Sequence, residues 1–137
     1  ANGGGNDLEG CVCGDDCWGV IDLLISENGS DGAIPDLVRR ILDDGAYVAW
    51  VGYMRPMEDA DEYADCGGEV DLLRERLQRL DESEDGMIFV DGALIGTGVE
   101  EDLYDPDGYH PSPEGCAALG EEVAQRVDGA FGLSALG

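Results

Sequence analysis

The sequence contains no lysine: its seven basic residues are all arginine, against 32 aspartate and glutamate residues. The formal net charge at neutral pH is −25. Nucleic acids and anionic membrane surfaces are bound through clustered cations, so like-charge repulsion opposes both. We therefore expect no nucleic-acid partner. We interpret the carboxylates mainly as a solvated surface, as in proteins adapted to salt.

Long hydrophobic runs are also missing. No stretch approaches the roughly 20 apolar residues that a membrane span requires, and residues 1–10 have neither a basic start nor an apolar run. The 137 residues are 43% hydrophobic, enough for one packed core. We therefore predict a folded domain without a membrane span.

Histidine is nearly absent, and cysteine is odd in number. The five cysteines are Cys11, Cys13, Cys17, Cys66 and Cys116. The first three are spaced for metal thiolates or disulfides, but zinc sites of this kind add a second cysteine pair or histidines. We predict disulfides, with a clustered cysteine bonded to Cys66, Cys116 buried in a helix, and an oxidising, secreted or periplasmic compartment. Reduced structural thiols are the alternative.

Helical periodicity and strand-like runs alternate along the chain. Helices are predicted at residues 18–25, 33–44, 70–80 and from a Ser112 cap to about 129, and strands at 46–53 and 87–90. This order predicts parallel strands joined by helical crossovers. Parallel sheets normally have several strands covered on both faces, so part of the sheet is expected on an N-terminal piece absent from this chain.

The sole histidine, His110, follows Asp107 by three residues, immediately before the last predicted helix. An aspartate at that distance can hold the imidazole ring and stabilise its protonated form, which makes a general base. An ordinary surface histidine among many acidic residues is the alternative interpretation.

The same segment partly matches a calcium-binding EF-hand loop. Asp105, Asp107, Gly108 and Glu114 have the spacing of EF-hand positions, but Leu103 replaces the first carboxylate. We expect no EF-hand and no metal site. A non-catalytic acidic module that binds calcium or a protein remains the alternative function.

A second motif lies in the glycine-rich start, Gly4-Gly5-Asn6-Asp7. Glycines let the backbone approach a bound group closely, and an asparagine amide held by such a turn can donate a hydrogen bond to a developing oxyanion. By itself the motif predicts only a turn.

Together the two motifs resemble the SGNH (GDSL-like) serine esterase and lipase family. In that family G-x-N-D follows the third strand and supplies an oxyanion asparagine, while D-x-x-H precedes the final helix and supplies the acid and base of a Ser/His/Asp triad. The matching residues here are Gly4, Asn6 and Asp7, then Asp107 and His110, in the same order. The strand that ends at residues 51–53, with Pro56 behind it, is similar to the family's fourth strand.

The resemblance implies a three-layer α/β/α, flavodoxin-like parallel sheet, with residues 1–137 as the C-terminal portion of one domain. It implies hydrolysis of a small acyl ester without a cofactor. The expected catalytic residues are His110, Asp107 and Asn6, with Gly4 and Gly5 in the oxyanion turn. Candidates for an acyl pocket are Trp18, Tyr53, Met54 and Met57.

The nucleophile segment is where the sequence departs from the family. The family's serine lies in a Gly-Asp-Ser turn after the first strand, and the serines here, at positions 26, 30, 83, 112 and 134, lie in no such turn. We therefore expect the serine on an N-terminal companion segment or chain, and we expect the isolated chain to be inactive.

Overall fold

The computed structural model describes residues 1–3, 8, 13 and 15–132. These residues form a mixed α/β structure. The helices are α1 (Asp15–Leu24), α2 (Ala33–Asp43), α3 (Gly67–Ser83) and α4 (Pro113–Phe131), and the strands are β1 (Val48–Val51) and β2 (Met87–Val90). Short 3-10 helices occupy Asp61–Cys66, Gly92–Leu94 and Glu101–Leu103 in the loops. The predicted order of helices and strands is confirmed, although β1 is shorter than the predicted 46–53.

The two strands pair in parallel, with Val48 opposite Met87 and Val51 opposite Val90. Helix α3 lies between them in the chain, so the connection is a helical crossover, as parallel neighbours require. The prediction of parallel strands is therefore confirmed.

Ala1 pairs with the other edge of β1. Its amino group donates a hydrogen bond to the Ala49 carbonyl at 2.6 Å, and the Val51 N–H donates to the Ala1 carbonyl at 2.8 Å. The Asn2 side-chain amide donates to the Val51 carbonyl at 2.9 Å. Ala1 thus bonds to Ala49 and Val51, which are two positions apart on β1, and this is the pattern of a parallel ladder. Ala1 and Asn2 therefore run parallel to β1, towards its C-terminal end.

The outer edge of β2 is covered by side chains. Arg126 of α4 donates a hydrogen bond to the Phe89 carbonyl at 3.1 Å, and the Phe89 N–H bonds to the carboxylate of Asp81. Burial raises the pKa of Asp81, although the Phe89 N–H and the charge of Arg126 act in the opposite direction. These contacts occupy backbone groups that an exposed edge would offer to another strand.

The core lies between one face of the sheet and the first three helices. It includes Ile21 of α1 and Ile25 just after that helix, Ile34 and Val38 of α2, Leu73, Leu77 and Leu80 of α3, and Val48, Trp50, Met87 and Phe89 of the strands. Alternate strand residues share a face, which explains the strand positions in this set. Trp18 is 57% exposed, because the buried stripe of α1 runs through Cys17, Ile21 and Ile25 instead.

A disulfide joins Cys13 to Cys66, with the Cα atoms 5.0 Å apart and a sequence separation of 53. Cys17 is also disulfide-bonded. The predicted bond between the cysteine cluster and Cys66 is confirmed. The prediction of a buried Cys116 is wrong: it lies in α4 but is exposed and free, because Gly115 takes the buried position of that turn.

No helix in the described ranges is long and apolar enough to cross a membrane.

Candidate active site

The loop that carries the sole histidine is closed by backbone hydrogen bonds. Tyr104 and Pro111 form an antiparallel bridge at its base, and the Asp105 N–H donates to the His110 carbonyl at 2.9 Å. At its tip the Gly108 N–H donates to the Asp105 carbonyl at 2.9 Å. Gly108 has φ +75°, a left-handed conformation that glycine adopts without strain. The loop is therefore a defined turn.

Tyr104 fastens this loop to the segment that follows β1. The ring is buried, and its hydroxyl donates to the Arg55 carbonyl at 2.7 Å and accepts from the Gly98 N–H at 3.0 Å. Burial raises the pKa of Tyr104, which keeps the hydroxyl a donor. A second tie is the Met57 N–H, which donates to the Gly108 carbonyl at 2.8 Å.

Helix α4 begins three residues beyond His110. The Ser112 hydroxyl accepts a hydrogen bond from the Gly115 N–H at 3.0 Å and donates to the Asp102 carbonyl at 2.7 Å, and Pro113 is the first helical residue. The predicted cap is therefore confirmed. Because it is bonded on both sides, Ser112 holds the start of the helix against the loop.

Asp107 holds both the ring and the backbone of His110. Its Oδ2 lies 2.8 Å from His110 Nδ1, and its Oδ1 accepts from the N–H groups of Tyr109 at 3.1 Å and His110 at 3.0 Å. Burial acts to raise the pKa of Asp107, but these hydrogen bonds outweigh it and the pKa is lowered. An ionised carboxylate only accepts, so Nδ1 carries a proton and, in the neutral ring, Nε2 carries the lone pair.

Two tyrosines that sequence reasoning missed surround the imidazole. The Tyr109 ring centroid lies 4.3 Å from that of His110 and also 4.3 Å from that of Tyr63. The His110 side chain is nevertheless 61% exposed and accessible. Tyr109 could have been suspected as the neighbour of His110, whereas Tyr63 is 47 residues away and gives no sequence signal.

Two cavities meet at His110. The first, here called the apolar cavity, has a volume of about 250 Å³, and the second, the strand-end cavity, about 470 Å³. Both are lined by Tyr53, Met54, Tyr109 and His110. Tyr53 and Met54 lie two and three residues after the end of β1, so both cavities lie at its C-terminal end, where open α/β sheets bind ligands.

The described residues just before the glycine-rich motif reach the same place. Asn2 and Gly3 line the strand-end cavity together with His110. Residues 2–3 and the histidine loop therefore border one cleft at the C-terminal end of β1. The predicted oxyanion residues Asn6, Gly4 and Gly5 lie outside the described residues.

Every described serine hydroxyl has another hydrogen-bond partner. Ser26 and Ser30 donate to Asn28, Ser83 donates to the Leu80 carbonyl, and Ser112 caps α4. Ser134 lies outside the described residues. The described part of the chain therefore offers His110 no evident serine nucleophile.

Two of the four predicted acyl-pocket residues line the cavities, namely Tyr53 and Met54. Trp18 instead lines a separate cavity with Leu72, and Met57 is not among the described residues that line either cavity at His110. Trp18 does not line these cavities because it lies on the exposed side of α1.

Within residues 1–3, 8, 13 and 15–132, no group of three or more histidine, cysteine or acidic side chains is placed to hold a metal ion. The partial EF-hand spacing around Asp107 thus has no corresponding ligand cluster there.

Comparison with known proteins finds no matching family model, no matching curated protein and no matching solved structure.

Proposed function

We propose that this chain forms the histidine and aspartate half of a serine hydrolase that cleaves small acyl esters. The observation that carries the proposal is the Asp107–His110 pair, hydrogen-bonded at 2.8 Å and placed where two cavities meet at the end of β1. A buttressed imidazole beside a space for substrate is the arrangement that nucleophile activation requires.

The proposed chemistry follows from the protonation of the ring. His110 Nε2 removes the proton of a serine hydroxyl as the oxygen attacks the ester carbonyl. The ring then returns that proton to the alcohol that leaves, and a water molecule repeats the sequence to release the acid. Asp107 fixes the tautomer of His110 and stabilises the imidazolium that forms in each of the two steps of the reaction. No cofactor takes part.

The serine is proposed to come from a companion segment or chain seated against the outer edge of β1. Ala1 already pairs with that edge in parallel, through Ala49 and Val51. A companion strand would extend the same ladder along the rest of β1. A serine at the C-terminal end of a neighbouring parallel strand would lie at the same edge of the sheet as His110. The complete domain would then be the three-layer, flavodoxin-like sheet.

The oxyanion is proposed to be bound by the Asn6 side chain and backbone N–H groups of the turn at Gly4 and Gly5. This proposal is supported by Asn2 and Gly3, which lie a few residues earlier in the chain and line the strand-end cavity. Disulfides persist in oxidising compartments, so we also propose that the protein is secreted or periplasmic.

The test compares the 137-residue chain with the full product of its natural gene on p-nitrophenyl butyrate. We expect the full product to hydrolyse the ester and to react covalently with a fluorophosphonate at one serine. His110→Ala should lower kcat/KM by about a thousandfold or more, since the triad acts as a unit.

Asp105→Asn is the matched control, because it removes one negative charge from the same loop without touching the imidazole. It should retain nearly full activity. Ester hydrolysis that survives His110→Ala would contradict the proposal, as would a folded full product with no hydrolysis of any p-nitrophenyl ester. Calcium-dependent folding without hydrolysis would instead favour the acidic binding module.

A further inference from the structure

We propose that the apolar cavity binds the acyl chain of the ester, and that it accepts a straight, uncharged chain of up to about eight carbons. As a statement about substrate this inference rests on the proposed function. As a statement about binding it stands on the cavity itself and can be tested without any hydrolysis.

The walls of the cavity are suited to a hydrocarbon chain. Its lining includes Met54, Pro56, Val70 and Leu73, which present only carbon and sulfur atoms. Burial of apolar surface is the main favourable contribution to binding in such a site. Methionine adapts its shape to a flexible ligand, which suits a chain that has many rotamers.

The disulfide closes one side of this cavity. Cys13 and Cys66 both line it, and the bond between them ties the N-terminal segment to the start of α3. This part of the wall is thus held covalently and cannot easily move aside to lengthen the cavity. We therefore expect a limit on chain length.

The volume gives that limit. A cavity of about 250 Å³ divided by about 30 Å³, the volume per molecule in liquid water, leaves room for about eight atoms of similar size. This is below the range of about 300–1,000 Å³ that holds drug-sized ligands. The cavity therefore fits a short or medium acyl chain and excludes a long fatty chain from full burial.

The position of His110 indicates which cavity takes each half of the ester. The imidazole lies where the apolar and strand-end cavities meet, so a carbonyl beside it sends its two substituents in different directions. The lining of the strand-end cavity includes the amide residue Asn2 and two glycines, Gly3 and Gly52, which have no side chain to cover their backbone, and this suits the more polar alcohol side. The acyl chain takes the apolar cavity. None of its described lining residues is arginine, so no permanent positive charge among them favours an anionic chain end.

The test uses N-methyl alkanamides of two to twelve carbons, which are uncharged and resist hydrolysis. Binding to the 137-residue chain is followed by NMR of its ¹³C-methyl-labelled methionines. The signal of Met54 should move on titration, while those of Met57 and Met87, which do not line the cavity, should serve as internal references. Affinity should rise about fourfold per methylene and stop rising near eight carbons.

Val70→Phe fills the cavity from α3 and should weaken binding of the octanamide at least tenfold. Leu72→Phe, on the same helix but facing the cavity beside Trp18, should leave the affinity unchanged. Val70→Leu adds less volume and should shorten the preferred chain by one or two carbons. This smaller substitution provides the test if the Val70→Phe protein does not fold.

The chain-length series is a binding measurement that needs no hydrolysis, so the two proposals fail by different measurements. Affinity that is independent of chain length, or unchanged in both folded Val70 variants, would overturn the assignment of the acyl chain. A full gene product that never cleaves esters, with the length series intact, would overturn the hydrolase and leave an apolar binding site.

Discussion

One carboxylate fixes the orientation of the histidine twice: Asp107 Oδ2 lies 2.8 Å from the ring nitrogen Nδ1 of His110, and Oδ1 lies 3.0 Å from the backbone nitrogen of the same residue. The ring and the chain that carries it therefore move together. A neutral amide at position 107 could replace some of these acceptors but not the charge.

Asp107→Asn should lower stability at neutral pH by about 1 kcal/mol, since it weakens charge-assisted hydrogen bonds in a partly exposed loop. The sign follows from the lowered pKa of Asp107: the folded protein binds this proton less tightly than the unfolded chain. Its contribution is thus present above pH 4 to 5 and is lost as the pH falls through the lowered pKa. Urea unfolding at pH 7, 5 and 3 should show the difference from wild type shrinking towards acid.

Asp105→Asn serves as the control for loss of a nearby negative charge, and its effect on the free energy of unfolding should be small at all three pH values. A deficit of Asp107→Asn that is equal at pH 7 and pH 3 would contradict the linkage between this carboxylate and folding.

Two glycines of α4 should respond to alanine in opposite directions. A Cβ at Gly115 would collide with the Leu103 carbonyl, whereas one at Gly120 would meet nothing within 4 Å. Gly120→Ala should stabilise by about 0.5–1 kcal/mol through helix propensity. Gly115→Ala should destabilise by about 1–3 kcal/mol through overpacking, because the helix must move away from the loop. Thermal unfolding of both variants checks the pair, and equal effects would contradict the close contact at Leu103.

The features that could be predicted from the sequence are those decided by near neighbours. Pro113 and the Ser112 cap predict the start of α4, and the apolar run 87–90 predicts a strand with the bounds that the structure has. The Asp107–His110 contact also spans only three residues, so its spacing in the sequence was informative.

Features that depend on packing between distant segments were missed. Tyr63 joins the site only because the 3-10 helix Asp61–Cys66 is brought against the histidine loop. The exposure of Cys116 depends on which side of α4 meets Leu103, and that is set by the missing Cβ of Gly115. Periodicity gives the existence of a helix but leaves its rotation about the axis to tertiary contacts.

The Cys13–Cys66 disulfide should account for a large share of the stability. It closes a loop with a sequence separation of 53, for which the chain-entropy relation gives about 4 kcal/mol. The double variant Cys13→Ala and Cys66→Ala leaves neither partner of this bond as an unpaired thiol, and it should lower the urea midpoint accordingly. Cys116→Ser, which alters the free and exposed thiol, is the control and should have little effect. Equal midpoints for the double variant and wild type would show that the bond does not constrain the unfolded chain.

The surplus of negative charge should make folding dependent on salt. With 32 acidic residues and seven arginines, at least 25 carboxylates lack an arginine when pairs are one to one. Arg39, Arg55, Arg74, Arg76 and Arg79 each already pair with an acidic side chain. Salt screens attraction and repulsion alike, but here the repulsive pairs are in excess.

The urea midpoint should therefore rise as KCl is increased from about 0.05 M to 1 M, over which the screening length falls from more than 10 Å to about 3 Å. Asp43 and Asp44 offer a local test, because they are exposed at the C-terminal end of α2, where the helix dipole disfavours negative charge. Replacing both by asparagine should stabilise by about 0.3–1 kcal/mol per residue at low salt. That gain should largely disappear in 1 M KCl, because screening already removes the same repulsion. A midpoint that falls with KCl would mean that the arginine pairs outweigh the repulsion among carboxylates, and the acidic surface would then need another explanation than adaptation to salt.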